Sequence, residues 1–121
     1  MTKRKWKNLI NSQLTILGTD TEAYDSVIET LAGILEQRDK TYEEFMELGG
    51  ESVMKYTNKG GSTNLIKNPL IALWDDLNKS ALAYWKELGL TPSGYKKLTG
   101  DKPMKEKALS GLAAALASIE S

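Results

Sequence analysis

The sequence, 121 residues long, predicts an all-α fold: a central antiparallel helical hairpin, short flanking helices and one long irregular loop. Three observations predict it. Apolar residues recur at helical spacing through four separate stretches, and glycines or Asn-Pro and Thr-Pro pairs punctuate them. Only one long internal segment, Gly49 to Lys67, lacks the period. With 40% hydrophobic and 26% charged residues, the composition is that of a globular chain able to form one core.

The first helix carries Trp6, Leu9, Ile10, Leu14 and Leu17 on one face, and Gly18 stands where a left-handed terminus suits glycine. The second is expected to start at Asp20 or Thr21, either of which can cap free amides. Its seam runs Tyr24, Ile28, Leu31, Leu35, Arg38, Tyr42 and Phe45, in steps of four and three that suit lengthwise packing on another helix. Continued to Leu48, where Gly49-Gly50 ends it, this helix spans roughly 40 Å. Arg38 interrupts the seam. Either its stem packs at the edge with the guanidinium in water, or it forms an ion pair between subunits.

A third helix opens with Asn68 as cap and Pro69 at the first position. Its stripe is Leu70, Leu73, Trp74, Leu77, Ala81, Tyr84, Trp85 and Leu88, and Gly89 closes it. Two long periodic helices in succession predict the antiparallel hairpin. Thr91 and Pro92 start a short fourth helix running to about Leu98. Pro103 starts a fifth, with Met104, Ala108, Leu109, Leu112, Leu116 and Ile119 on one face. Between the second and third helices, Val53-Met54-Lys55-Tyr56 and Asn64-Leu65-Ile66 can pair as a ragged hairpin around Asn58-Lys59-Gly60-Gly61. The chain thus divides into a basic helical segment (1–19), the hairpin core (20–99) and an amphipathic helix for oligomer or partner contact (100–121).

Composition excludes much chemistry. Without cysteine or histidine there is no thiolate nucleophile, no Ser-His-Asp triad and none of the usual zinc sites. No apolar run approaches the ~20 residues of a membrane span, and Met1 to Leu17 lacks a signal-peptide stretch. A soluble intracellular protein that is not an enzyme is expected, with no cofactor and no metal. Lys59-Gly60-Gly61-Ser62-Thr63 imitates a phosphate loop, but its lysine precedes the glycines. Glu43-Glu44 and Asp75-Asp76 point apart on a helix, and Asp39, Glu43 and Glu47 read as a solvated acidic stripe.

Charge is balanced overall, sixteen Lys+Arg against sixteen Asp+Glu, but separated along the chain. Residues 1–19 carry +4 from Lys3, Arg4, Lys5 and Lys7; residues 20–52 carry −8; residues 53–74 carry +3 from Lys55, Lys59 and Lys67. These seven cations are the candidate DNA-binding residues. The first four surround Trp6 at a helix start, where they can grip phosphate while Trp6 packs inward. Four cations on one subunit bind weakly and with steep salt dependence, so several copies acting together are needed for avidity. No strong helix-turn-helix signature accompanies them.

The stretch Lys67-Asn68-Pro69-Leu70, then Asp76-Leu77-Asn78-Lys79 and Ala83-Tyr84-Trp85, ending Leu88-Gly89-Leu90-Thr91-Pro92-Ser93, resembles the small subunit of phage terminase, P27 family. The long acidic helix and Gly-rich loop match the same layout, and the likeness runs from Trp6 to Leu98. The Leu-Gly-Leu-Thr-Pro element is its most specific part. One departure is Gly94-Tyr95-Lys96, where many relatives carry alanine and arginine, although Lys96 and Lys97 keep the turn basic. The resemblance implies a non-enzymatic DNA-packaging protein of the host cytoplasm, phage or prophage encoded. It implies a ring-shaped homo-oligomer that binds double-stranded viral DNA, and that recruits and regulates the large terminase ATPase-nuclease. A helical phage or host adaptor that binds only protein is the alternative.

Overall fold

In the computed structural model the described residues are 1–100 together with Ala114 and Ala117. The order is α1 (Lys3–Ile16), α2 (Asp25–Glu47), β1 (Val53–Thr57), β2 (Thr63–Lys67), α3 (Pro69–Glu87) and α4 (Pro92–Thr99). The expected helix beginning at Pro103 lies outside the described residues, apart from Ala114 and Ala117, which are helical and exposed.

α1 starts where the Thr2 hydroxyl accepts a hydrogen bond from the Lys5 amide, 3.2 Å away. Trp6, Ile10 and Leu14 are its buried face, and Gly18 closes it at φ 78°. The next helix begins later than its sequence suggests. The Asp20 carboxylate accepts from the amides of Glu22 and Ala23, which caps a turn instead of a helix, and α2 starts at Asp25. Its seam is also shifted. Ile28, Leu31, Leu35 and Phe45 are buried as expected, but Tyr24 and Tyr42 face solvent while Ala32 and Thr41 are inside. The Thr41 hydroxyl is satisfied by the Gln37 carbonyl at 2.7 Å.

The connection between the long helices is not irregular, and the chain is not all-α. β1 and β2 form a two-stranded antiparallel sheet in full register, from Val53 opposite Lys67 to Thr57 opposite Thr63. Asn58 makes the turn: its carboxamide oxygen accepts from the Ser62 amide, and its carbonyl accepts from Gly61. Asn68 closes the base, donating its backbone amide to the Ser52 carbonyl and its side-chain amide to Glu51. The same side chain caps α3 by accepting from Leu70, with Pro69 in the first turn. One asparagine therefore ends the sheet and starts the helix.

α3 returns along α2, antiparallel as expected: Arg38 meets Asn78 and Tyr42 meets Trp74. α1 runs antiparallel to α2 on its N-terminal part, with Lys7 near Asp25 and Lys3 near Glu36. After α3, Gly89 turns the chain at φ 73°, Leu90 and Thr91 are buried, and Thr91 caps α4 through the Gly94 amide at 3.0 Å. A Cβ at Gly94 would collide with the Lys86 carbonyl oxygen, so only glycine lets α4 lie this close to the end of α3.

The core lies at one end. Trp6, Ile10, Leu14, Ile28, Leu31, Ala32, Leu35, Ala81, Trp85, Leu88 and Leu90 form one buried cluster. The first half of α3, from Leu70 to Leu77, contributes no fully buried side chain.

Candidate nucleic-acid interface

The basic N-terminal segment is divided by its own helix. Lys3 and Lys7 point onto α2: Lys3 Nζ lies 2.6 Å from Glu29, and Lys7 Nζ lies 2.8 Å from Glu29 and 3.1 Å from Asp25. The Lys3 backbone amide, unsatisfied within α1, donates to Glu36 at 2.7 Å. These contacts hold Glu29 down at a pKa of about 2, chiefly through Lys3 and then Lys7, and they raise Lys7 through Glu29 and Asp25. Glu36 is lowered by the Lys3 amide. Arg4 and Lys5, on the other side of the helix, are exposed. Two of the four head cations thus neutralise the acidic helix, and two face solvent.

The cations of the middle segment are carried on the sheet. Lys55 and Lys59 are exposed, and Lys67 lies 3.1 Å from Asp75 while still reaching solvent. Strand register sorts the remaining side chains. Lys55, Lys67, Val53, Leu65 and the hydroxyl-paired Thr57 and Thr63 share one face; Met54, Tyr56, Ile66 and Asn64 share the other. Among the described residues, neither strand packs more than marginally on a helix.

The Arg38 guanidinium does not lie in water: its side chain is only 5% exposed, and it meets Asp39 and Asn78. Nη2 and Nε donate to Asp39 Oδ1 at 2.8 and 3.2 Å, Nη1 reaches Asn78 at 3.5 Å, and the guanidinium stacks 5.3 Å from the Trp6 ring. Asp39 in turn accepts from the Trp6 indole at 2.7 Å and from the Met1 amino group at 2.8 Å. Burial pushes the Asp39 carboxyl up, but these hydrogen bonds outweigh it and leave it below its usual value. Asp39 is thus no part of a solvated acidic stripe. Sequence reading missed it because Trp6 and Met1 lie 33 and 38 positions away and no local pattern announces them.

Beside this network is a cleft of about 420 Å³ lined by Trp6, Arg38, Asp39, Tyr42, Glu43 and Trp74. A second hollow, about 330 Å³, lies between the end of α3 and α4, with Lys86, Ser93 and Lys97 on its walls. Among the described residues no group of three acidic side chains is placed to hold a metal ion, and no helix is long and apolar enough to cross a membrane.

Residues 2–105 match the family model described as phage terminase, small subunit. The chain belongs to that family. The match takes in α1, the two-stranded sheet and the α3–α4 turn together, so it covers every element described above. It gives the chain the role of a small terminase subunit in phage DNA packaging. No curated protein and no solved structure is similar enough to match.

Proposed function

We propose that this small terminase subunit, of the P27 type suggested by its Leu88–Ser93 turn, binds double-stranded viral DNA and brings the large terminase ATPase-nuclease to it. It does so as a ring-shaped homo-oligomer without catalysing a reaction itself. The observation that carries the reading is the exposed two-stranded ribbon, whose segment from 53 to 74 has three lysines and no acid. A ribbon of this width fits the major groove, and its cations reach phosphates.

Lys55 and Lys59 on the ribbon, with Arg4 and Lys5 on α1, are the proposed phosphate contacts. Lys67 joins them when it exchanges Asp75 for phosphate. Lys3 and Lys7 have a different first duty, holding α1 on α2, and they touch DNA only at the cost of that clamp. One copy offers too few cations for firm binding, so affinity depends on several copies engaging one duplex. The C-terminal segment beyond Gly100 is the proposed contact for a neighbour or for the large terminase.

Replacing Arg4, Lys5, Lys55 and Lys59 by alanine is expected to weaken retardation of viral DNA in a gel. Counterion release predicts a salt-dependence slope flatter by up to about 4. Unchanged retardation and slope would overturn the assignment. A wild-type chain that ignores DNA altogether, while still binding the large terminase, would favour the protein-only adaptor.

A further inference from the structure

The turn from α3 into α4 is a tight corner. Four residues, Leu88 to Thr91, join the helices, and Gly89 turns the chain at φ 73°. Gly94, in the first turn of α4, packs on the Lys86 carbonyl, and a Cβ at Gly89 would lie 2.8 Å from Leu98 Cδ1. An antiparallel return would carry Leu98 back along α3; it lies at Gly89 instead, so α4 crosses the end of α3. Trp85, Leu88 and Leu90 are buried at the corner, and Tyr95 is half-buried. Two crossed helices joined by a turn of three or four residues with a glycine make a helix-turn-helix unit. This one holds none of the seven candidate cations and lies at the other end of α3 from the ribbon.

The crossing leaves one side of α4 outward. Among the described residues α4 packs chiefly on α3; Gly94 faces inward, while Pro92, Ser93, Lys96 and Lys97 are exposed. Ser93 and Lys97, one helical turn apart, line the hollow of about 330 Å³ together with Lys86 from α3. One acid, Glu87, is in its wall. From 88 to 100 the chain has two lysines and no acid.

We infer that α4 is a second DNA contact, seated in the major groove with Ser93 at the base edges and Lys86 and Lys97 on the flanking phosphates. A helix about 10–12 Å across fits a groove about 12 Å wide, and helix-turn-helix units enter it by the N-terminal residues of their second helix. Ser93 is the second residue of α4, and its short hydroxyl can donate to or accept from a base edge. Lys97 follows one turn later and Lys86 stands across the hollow, so cations flank the reading position on two sides. Thr91, which caps α4, and Gly94, which seats it on α3, are positioning residues for this contact. The inference rests on the DNA-binding part of the proposed function and adds a surface separate from the ribbon and α1.

The test uses the full chain and gel retardation of two duplexes of equal length, the viral packaging region and an unrelated sequence. Lys86→Ala/Lys97→Ala is expected to weaken binding to both, with a salt-dependence slope flatter by up to about 2. Ser93→Ala is expected to lower the preference for the viral duplex about fivefold, with the unrelated duplex bound as before. All three side chains are exposed, so helicity by circular dichroism is expected to be retained. If the wild type binds neither duplex, the proposed function and this contact fail together. If the wild type binds but the lysine variant keeps its affinity and slope, this contact alone fails. A wild type without preference, or a Ser93→Ala variant that keeps the preference, overturns base reading by α4. A variant that loses helicity is replaced by Ser93→Cys in this cysteine-free chain, labelled with a photocrosslinker, and absence of a cross-link to viral DNA then overturns the inference.

Discussion

Where α1 covers α2, the long helices bury continuous apolar stripes; toward the ribbon, the same two helices carry tyrosine, methionine and leucine in solvent. The covered end holds Ile28, Leu31 and Leu35 against Ala81 and Trp85, and it is closed by Leu88 and Leu90 at the turn into α4. The other end has only Phe45 fully buried among its large side chains. Both ends share helical periodicity, so the difference is not in secondary structure. It is in the number of layers: three helices exclude water from a core, and two do not. The covered end folds the subunit, and the open end leaves large apolar side chains in solvent.

The sharpest way to break this comparison is to truncate matched residues at the two ends. Trp85→Ala, in the fully buried cluster, is expected to cost about 3–5 kcal/mol, enough to unfold much of the population. Leu73→Ala, on the same helix three turns earlier, is expected to change subunit stability by no more than about 0.5 kcal/mol. Urea titrations of the two variants at low concentration, where assembly does not contribute, measure both. Comparable losses would mean the open end has a core of its own.

Asp39 stands at the boundary of the two regions. Removing its carboxylate leaves the Arg38 guanidinium and the Trp6 indole without their shared acceptor, at positions nearly closed to water. Asp39→Ala is expected to destabilise by about 2–3 kcal/mol, because a buried guanidinium and a buried indole N–H each lose a charged acceptor. In a double-mutant cycle with Trp6→Phe, the coupling should exceed about 0.5 kcal/mol if the bond seen between them contributes. Gly94→Ala tests the far side of the covered end. The added methyl meets the Lys86 carbonyl, and the forced shift of α4 is expected to cost about 1–3 kcal/mol by thermal melting.

Much of the covered end was legible from spacing alone. Trp6, Ile10 and Leu14, then Ile28, Leu31 and Leu35, are helical stripes that can only be satisfied by burial, and Asn68-Pro69 and Thr91-Pro92 mark helix starts through local chemistry. The open end was misread for the same reason. Tyr42, Leu70, Leu73 and Trp74 fit the period equally well, and periodicity cannot tell a face buried in its own chain from one left for a partner. The ribbon was legible as a ragged hairpin, Val53–Tyr56 against Asn64–Ile66, but not in its full register, because neither strand alternates cleanly: with both faces in solvent there is no inside to impose a period of two. Of the seven candidate cations, the sequence could not separate Lys3 and Lys7 from Arg4 and Lys5. That depends on which side of α1 meets Glu29, 22 positions beyond Lys7.

The smallest effect concerns that clamp and is confined to the covered end. Glu29 has a folded-state pKa of about 2 against a usual 4.5, so folding favours its ionised form. Its contribution is complete above about pH 4.5 and is lost as pH falls toward 2, because the unfolded chain then binds the proton first. Glu36 and Asp39, also lowered, act in the same direction, whereas Lys7 is raised and stays charged throughout this range. Glu29→Gln is therefore expected to be slightly less stable at neutral pH and to lose less between pH 4.5 and 2 than the wild type. The group is at the surface, so salt should narrow the gap between the two proteins. Urea midpoints measured across that range at low and high salt check both expectations. A variant with the same acid profile as the wild type would show that the Glu29 pairs do not help hold α1, and it would leave Lys3 and Lys7 as available for the proposed phosphate contacts as Arg4 and Lys5.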